Sequence, residues 1–163
     1  MKTEKTIGDL LRRNGWTLSV AESCTGGLIC DRITNIPKCS DYFMGGMVNY
    51  SNQSKIKHLG VPMEYIRKYG AVSPQVARKM AQGVRKTFGT TFGLSTTGIA
   101  GPTGGTREKP VGLVFIGLAK GKKNRVMKLN LKGSRIEVKQ ESTRNALKYL
   151  HDFIRKETLG EES

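Results

Sequence analysis

This 163-residue chain has only two histidines and three cysteines, the usual ligands of a zinc site. Cys24, Cys30 and Cys39 make an odd set with no Cys-x-x-Cys spacing. A disulfide framework or a zinc site is therefore unsupported, and no metal is expected. Acidic residues are also scarce, 13 against 28 lysines and arginines, which leaves a formal charge of +15. No apolar run approaches the length needed to span a bilayer, so a membrane is not an expected partner. The first six residues lead into an amphipathic segment rather than a signal-peptide apolar core, so a cytoplasmic location is expected. Internal repeats and low-complexity linkers are missing as well. One domain over residues 1–163 is expected, and its 37% apolar content is enough for a real core.

The positive charge invites nucleic acid, but its distribution argues for a solvated surface. Within residues 74–88, Val76, Ala77, Met80, Ala81 and Val84 share one helical face, while Arg78, Lys79, Arg85 and Lys86 lie away from it. Neither a basic arm nor an aromatic-rich RNA-binding signature is present, so nucleic acid is not the expected partner.

What the chain does have is the stretch Thr17-Leu18-Ser19-Val20-Ala21-Glu22-Ser23-Cys24-Thr25-Gly26-Gly27. Residues 17–21 read as a short buried strand, and a helix is expected to begin near Cys24, with Leu28, Ile29 and Ile33 at helical spacing. Such a turn leaves the first helical N–H groups without partners, so an anion or a developing oxyanion can be held there. Ser23 is then a candidate nucleophile. Equally, Ser23 and Thr25 could be caps, and the two glycines could only permit close packing. Cys24 is a second possible nucleophile, or a small buried thiol.

Further along, a helix is expected over residues 7–13 and a strand over 47–50. Ser51 or Asn52 caps a short helix that Gly60 stops. A small helix is expected over residues 64–69. Ser73-Pro74 opens a longer one to Phe88, since proline is accepted at the first helical position. Residues 92–97 read as a strand, 98–110 as a long glycine-rich loop, and 111–119 and 125–131 as an antiparallel pair. The last helix should turn Thr143, Ala146, Leu147, Leu150 and Ile154 inward, with fraying after Leu159. The alternation implies an α/β sandwich with a mixed sheet. Sites in such folds form beyond the carboxyl ends of parallel strands, where Ser23, residues 50–55 and residues 98–105 should converge.

A base for Ser23 is hard to find among the histidines. Neither His58 nor His151 has a neighbourhood that suggests a buried orienting carboxylate. Lys55 can serve if desolvation or nearby positive charge lowers its pKa; otherwise it is one more surface lysine. The glycine-rich loop matches no Walker or dinucleotide pattern, yet it could offer N–H groups to a phosphate or simply pack tightly.

Taken together, the motifs carry a resemblance. Ala21-Glu22-Ser23-Cys24-Thr25-Gly26-Gly27, Tyr50-Ser51-Asn52-Gln53-Ser54-Lys55, Gly70-Ala71-Val72-Ser73, Gly98-Ile99-Ala100-Gly101-Pro102-Thr103-Gly104-Gly105 and Lys109-Pro110-Val111-Gly112 occur in that order. They resemble the CinA C-terminal domain family, whose characterised members are nicotinamide-nucleotide amidohydrolases. The likeness runs from about Thr6 to about Leu150 and is similar to the stand-alone form. It implies a three-layer α/β/α sandwich with a mixed, mostly parallel sheet, and deamidation of nicotinamide mononucleotide without a cofactor. It also implies a dimer or higher assembly. Carried over by motif, Ser23 is the nucleophile, Lys55 its general base and Tyr50 close to both. Thr25, Gly26, Gly27, Ser51, Asn52, Thr97, Gly98, Ile99, Ala100, Gly101 and Arg135 fall on the substrate side. Of these, residues 98–101 and Arg135 are expected to hold the 5′-phosphate. Ser134 and Lys139 depart from the Asp and Arg that the family usually or often carries there. A non-catalytic nucleotide- or DNA-associated module is the competing reading, motivated by the +15 charge.

Overall fold

The burial of β1 (Leu18–Glu22) on both faces makes it the centre of the molecule. In the computed structural model, which describes residues 2–160, β1 pairs in parallel with β2 (Phe43–Val48) on one side and β3 (Phe92–Gly98) on the other. β4 (Leu113–Lys120) and β5 (Lys123–Asn130) continue the sheet as an antiparallel hairpin, giving the order β2-β1-β3-β4-β5. The expected mixed sheet is thus parallel in one half and antiparallel in the other, rather than mostly parallel throughout.

Helices cover both faces. On one lie α1 (Lys2–Asn14), α2 (Leu28–Thr34) and α6 (Arg135–Leu159); on the other lie α3 (Asn52–Leu59), α4 (Met63–Tyr69) and α5 (Pro74–Phe88). Strand alternation supplies both cores. Leu18 and Val20 of β1 join Val114, Ile116 and Leu118 of β4 beneath Leu147, Leu150 and Ile154 of α6. Ala21 faces the other way, toward Val76, Met80 and Val84 of α5.

Local signals explain most boundaries. Ser51, Ser73 and Ser134 each accept an N–H of the first turn of α3, α5 and α6, and the last forms a full capping box with Glu137. Gly60, Gly89 and Gly160 close the same helices in the left-handed conformation. Of the residues after Leu159 expected to fray, Gly160 caps α6 and 161–163 lie outside the described residues.

Three boundaries differ most from expectation, the others by a residue or two. α1 begins at Lys2, ahead of its apolar pattern, and buries Glu4 against Arg32 of α2. β2 runs earlier than residues 47–50, because its glycines pack rather than turn: side chains grown at Gly45 and Gly46 would strike Phe88 and Cys30. α2 opens at Leu28 and not near Cys24, behind Gly27 at φ 105°.

α5 lies directly on the sheet at two glycines. A Cβ at Gly93 would enter the Ala81 carbonyl, and one at Gly117 the Ala77 carbonyl. The sheet also grips α5 by hydroxyls: Ser95 Oγ donates to Ala77 at 2.6 Å and Ser19 Oγ to Val84 at 3.1 Å. Gly93→Ala is therefore expected to lower unfolding free energy by about 3 kcal/mol, as overpacking of a rigid backbone contact does, read from urea denaturation.

Candidate functional site

The strand order reverses at β1: the chain leaves it toward β2 on one side and returns past it to β3. Crevices in open α/β sheets form at that place. The carboxyl ends of β1, β2 and β3 do bring Ser23, residues 50–55 and the loop after Gly98 together. They line one cavity of about 200 Å³ with Ser23, Cys24, Tyr50, Asn52, Lys55, Ala71, Val72, Thr97, Gly98 and Ala100.

Lys55 is the unusual member. Ser51 and Gly60 limit α3 to eight residues, and Lys55 and Leu59, four apart, make its inward side. Lys55 is 2% exposed. Its Nζ donates to Ser23 Oγ at 3.1 Å and to the Tyr50 carbonyl at 3.0 Å. Both acceptors are neutral, and no carboxylate among the described residues pairs with it. Burial pulls its pKa down to about 8. Roughly a tenth of it is then free base at pH 7.

Ser23 is 7% exposed, and its N–H is bound to the Thr96 carbonyl at 3.1 Å. Cys24 also lines the cavity, but burial pushes its thiol up to about 12, so it stays protonated. Of the two side chains, it is Ser23 whose oxygen meets the Lys55 amine. His58 is exposed, and His151 bonds Asp152 on α6; neither lines this cavity.

The turn after Ser23 departs from a bare helix N-terminus. Glu22 is fully buried, and its carboxylate accepts the Ile29 N–H at 3.0 Å and the Cys30 N–H at 3.1 Å. The positive end of α2 is thus satisfied from within. Gly26 N–H closes back on the Ser23 carbonyl. Of the amides in this turn, those of Cys24 and Thr25 have no acceptor among the described residues. Glu22 had been given no role, although it stands inside the motif.

The other expected residues divide by what their atoms already do. Thr25 is buried, with its hydroxyl 2.8 Å from that of Thr96. Thr97 lines the cavity but donates its hydroxyl to the Ala71 carbonyl at 2.8 Å. Ser51 is committed to its cap. Asn52 is exposed at the mouth. Gly26 is exposed against the Lys139 amine, and half-buried Gly27 holds the bend. Gly98 and Ala100 form wall. Ile99 gives its N–H to Leu113 and its carbonyl to Gly112, so that amide is closed to a phosphate.

Tyr50 and Arg135 bridge the mouth. Tyr50 is 60% exposed, and its hydroxyl accepts from Arg135 Nη2 at 2.9 Å. Arg135 Nη1 donates to the Gly101 carbonyl at 2.7 Å. Tyr50 reaches Lys55 through its carbonyl and not its phenol. Ala71 and Val72 were missed as wall residues; their appearance in an unassigned motif was the available signal. Lys109, from another such motif, holds that wall by donating to the Tyr69 carbonyl.

The fold and site define an α/β protein with a buried serine–lysine pair at the switch point of its sheet. The chain belongs to the CinA C-terminal domain family, whose model matches residues 1–154. It is 50% identical over 159 residues to a putative competence-damage inducible protein of Clostridium kluyveri, covering 98% of this chain and 38% of that protein. It is 51% identical over 157 residues to a CinA-like protein of Dictyoglomus thermophilum, covering 96% of this chain and 37% of that one. The chain therefore spans under two-fifths of the length of the curated relatives it matches. Among solved structures it resembles the competence/damage inducible protein CihA of Agrobacterium tumefaciens, with TM-score 0.89, 36% identity and coverage of 91% of this chain and 92% of that one. It also resembles a CinA superfamily protein of Klebsiella pneumoniae, with TM-score 0.91, 25% identity and coverage of 94% and 96%. Among the described residues no helix is long and apolar enough to cross a membrane.

Lys55 gives a stability test. Its folded pKa lies below the ordinary lysine value of 10.5, so the unfolded chain binds more protons between about 8 and 10.5. Wild type therefore gains stability as pH rises through that window and bears the full cost below it. Lys55→Met should be more stable than wild type at pH 7 by on the order of 2 kcal/mol, less than the shift alone gives because two hydrogen bonds are lost. The advantage should shrink toward pH 10, read by chemical denaturation across pH.

Proposed function

We propose that the chain is an amidohydrolase that converts nicotinamide mononucleotide to nicotinic acid mononucleotide and ammonia. The observation that carries the reading is the Lys55 amine, buried without a counter-ion and 3.1 Å from Ser23 Oγ at the floor of a cavity. The resemblance of the motifs to characterised nicotinamide-nucleotide amidohydrolases supplies the substrate.

Neutral Lys55 takes the Ser23 proton as Oγ attacks the carboxamide carbon. The Cys24 and Thr25 N–H groups stabilise the oxyanion. The Lys55 ammonium then protonates the departing amine, ammonia leaves, and water enters to hydrolyse the acyl-enzyme with Lys55 again as base. About 200 Å³ is less than the usual cavity for a whole drug-sized ligand, so it accepts the pyridine ring and carboxamide. The ribose phosphate extends over the mouth toward Arg135 and Lys139. There the Arg135 fork exchanges the Tyr50 hydroxyl for phosphate oxygens.

Purified protein is expected to release ammonia from nicotinamide mononucleotide, with Ser23→Ala and Lys55→Ala each at least about a thousandfold slower and still folded. Rate over KM should rise with pH, half-maximal near 8, as Lys55 loses its proton. Full activity in Ser23→Ala would sink the mechanism.

The +15 charge and the competence and damage wording in the relatives' names favour a second reading, a DNA-associated module. It requires duplex binding that falls steeply with salt. Fluorescence anisotropy at low ionic strength is expected to show no binding; a steep salt slope would favour this reading instead.

A further inference from the structure

The cavity poses an electrostatic problem for the proposed substrate. Its lining carries one charged side chain, that of Lys55, and no carboxylate. A nicotinamide nucleotide carries a fixed positive charge on its ring nitrogen, close to the carboxamide that must meet Ser23. By covalent geometry that nitrogen is about 4 Å from the carboxamide carbon. Attack requires the carbon within about 3.5 Å of Oγ. Lys55 Nζ is 3.1 Å from the same oxygen. The ring charge and the amine thus come within about 11 Å of each other at most, and nearer where the path bends, with no anion in the cavity lining between them.

We propose, resting on the amidase reading, that a ring-quaternised carboxamide activates its own base: bound in this cavity, its fixed charge expels the proton from Lys55. The proton leaves Nζ for the solvent. The neutral amine then accepts the Ser23 Oγ proton and passes it to departing ammonia, so the chemical step itself balances without the expelled proton. At saturation near neutral pH the site thereby holds more of the neutral base with pyridinium carboxamides than with the same carboxamide on an uncharged ring.

The surroundings leave Lys55 without a counter-charge. From the Ser23 turn comes the Cys24 thiol, kept protonated by burial. From the segment before α3 comes the Tyr50 carbonyl, the phenol being turned to Arg135. Glu22 of β1 is spent on the Ile29 and Cys30 amides in the opposite layer. α5 packs against Leu59 of α3 with Val76, Met80 and Gly83, while its Lys79 leans on the Tyr65 ring, Arg85 bonds the Thr90 carbonyl and Arg78 is exposed. Lys57 and His58 of α3 face solvent. Arg135 and Lys139 at the mouth have the same sign as Lys55. The substrate's phosphate lies a ribose away at that mouth, where these cations and water screen it.

At this separation and an effective dielectric near 20, the ring charge lowers the Lys55 titration by about one to two pH units. Calorimetric titration of Ser23→Ala at pH 7.5, in buffers of different ionisation enthalpy, reads the proton directly. Nicotinamide mononucleotide is expected to release most of one proton on binding. Its 1,4-dihydro form, identical except for the uncharged ring, should release none, and neither ligand should release one from the Ser23→Ala, Lys55→Met double variant. In wild type, the acidic limb of kcat should lie about one to two pH units below that of kcat/KM. Binding with equal proton release from both ligands, or with none from either, overturns the inference and leaves the amidase reading standing. Failure of the nucleotide both to bind and to turn over removes the amidase reading, and this inference with it.

Discussion

A lysine amine held in the interior by one hydroxyl and one carbonyl is the constraint on which the site depends. Neutral acceptors favour the charged form less than a carboxylate does, so desolvation wins and the amine becomes a usable base near neutral pH. A carboxylate beside it would restore an ordinary lysine and remove the base. The fold keeps the nearest candidate away by strand alternation. Ala21 faces the α5 layer, so Glu22, next in β1, must face the α2 layer, and its two oxygens are consumed by α2 amides. The same glutamate that anchors the serine turn is thereby denied to the lysine.

That arrangement explains what could and could not be read in advance. α5 was legible because Ser73, Pro74 and Gly89 bracket a clean apolar face, and α3 because Ser51 and Gly60 do the same over eight residues. The start of α2 was not, because its capping carboxylate comes from Glu22, seven residues before the amide of Ile29 and outside any local capping pattern. β2 was placed too late because glycines carry no strand signal of their own, whereas Gly45 and Gly46 here allow Phe88 and Cys30 to approach the strand. At the site, the convergence of three loops followed from parallel topology. The burial of Lys55 did not follow from composition, where it is one of 28 basic residues. Its inward position is nonetheless encoded: four residues before Leu59 it occupies the stripe of α3 where an apolar side chain belongs.

Hydroxyls explain why the loops hold their places with so little hydrophobic surface at the strand ends. Thr25 is tied to Thr96, Thr97 to the Ala71 carbonyl, and Ser19 to both Thr90 and Val84. Each is a buried polar group with its partner present, which fixes position where apolar contacts would tolerate slippage. These bonds also sort the amides. Those of Ser23, Gly26 and Ile99 are spent on protein carbonyls and are closed to an oxyanion, whereas those of Cys24 and Thr25 in the turn are not.

The two halves of the sheet divide the labour accordingly. β2, β1 and β3 end together and present the serine, the lysine and the loop from one edge, a placement that only parallel strands permit. The β4–β5 hairpin presents no side chain to the cavity. It contributes instead through the backbone, where Leu113 takes the Ile99 N–H, Ile99 takes that of Gly112, and Gly112 takes that of Leu131. That ladder closes the base of the glycine-rich loop and sets where Gly98 and Ala100 stand opposite Lys55. An antiparallel hairpin is suited to the task because its register is fixed by adjacent strands. The loop is therefore held from the antiparallel half while the serine–lysine pair is assembled in the other.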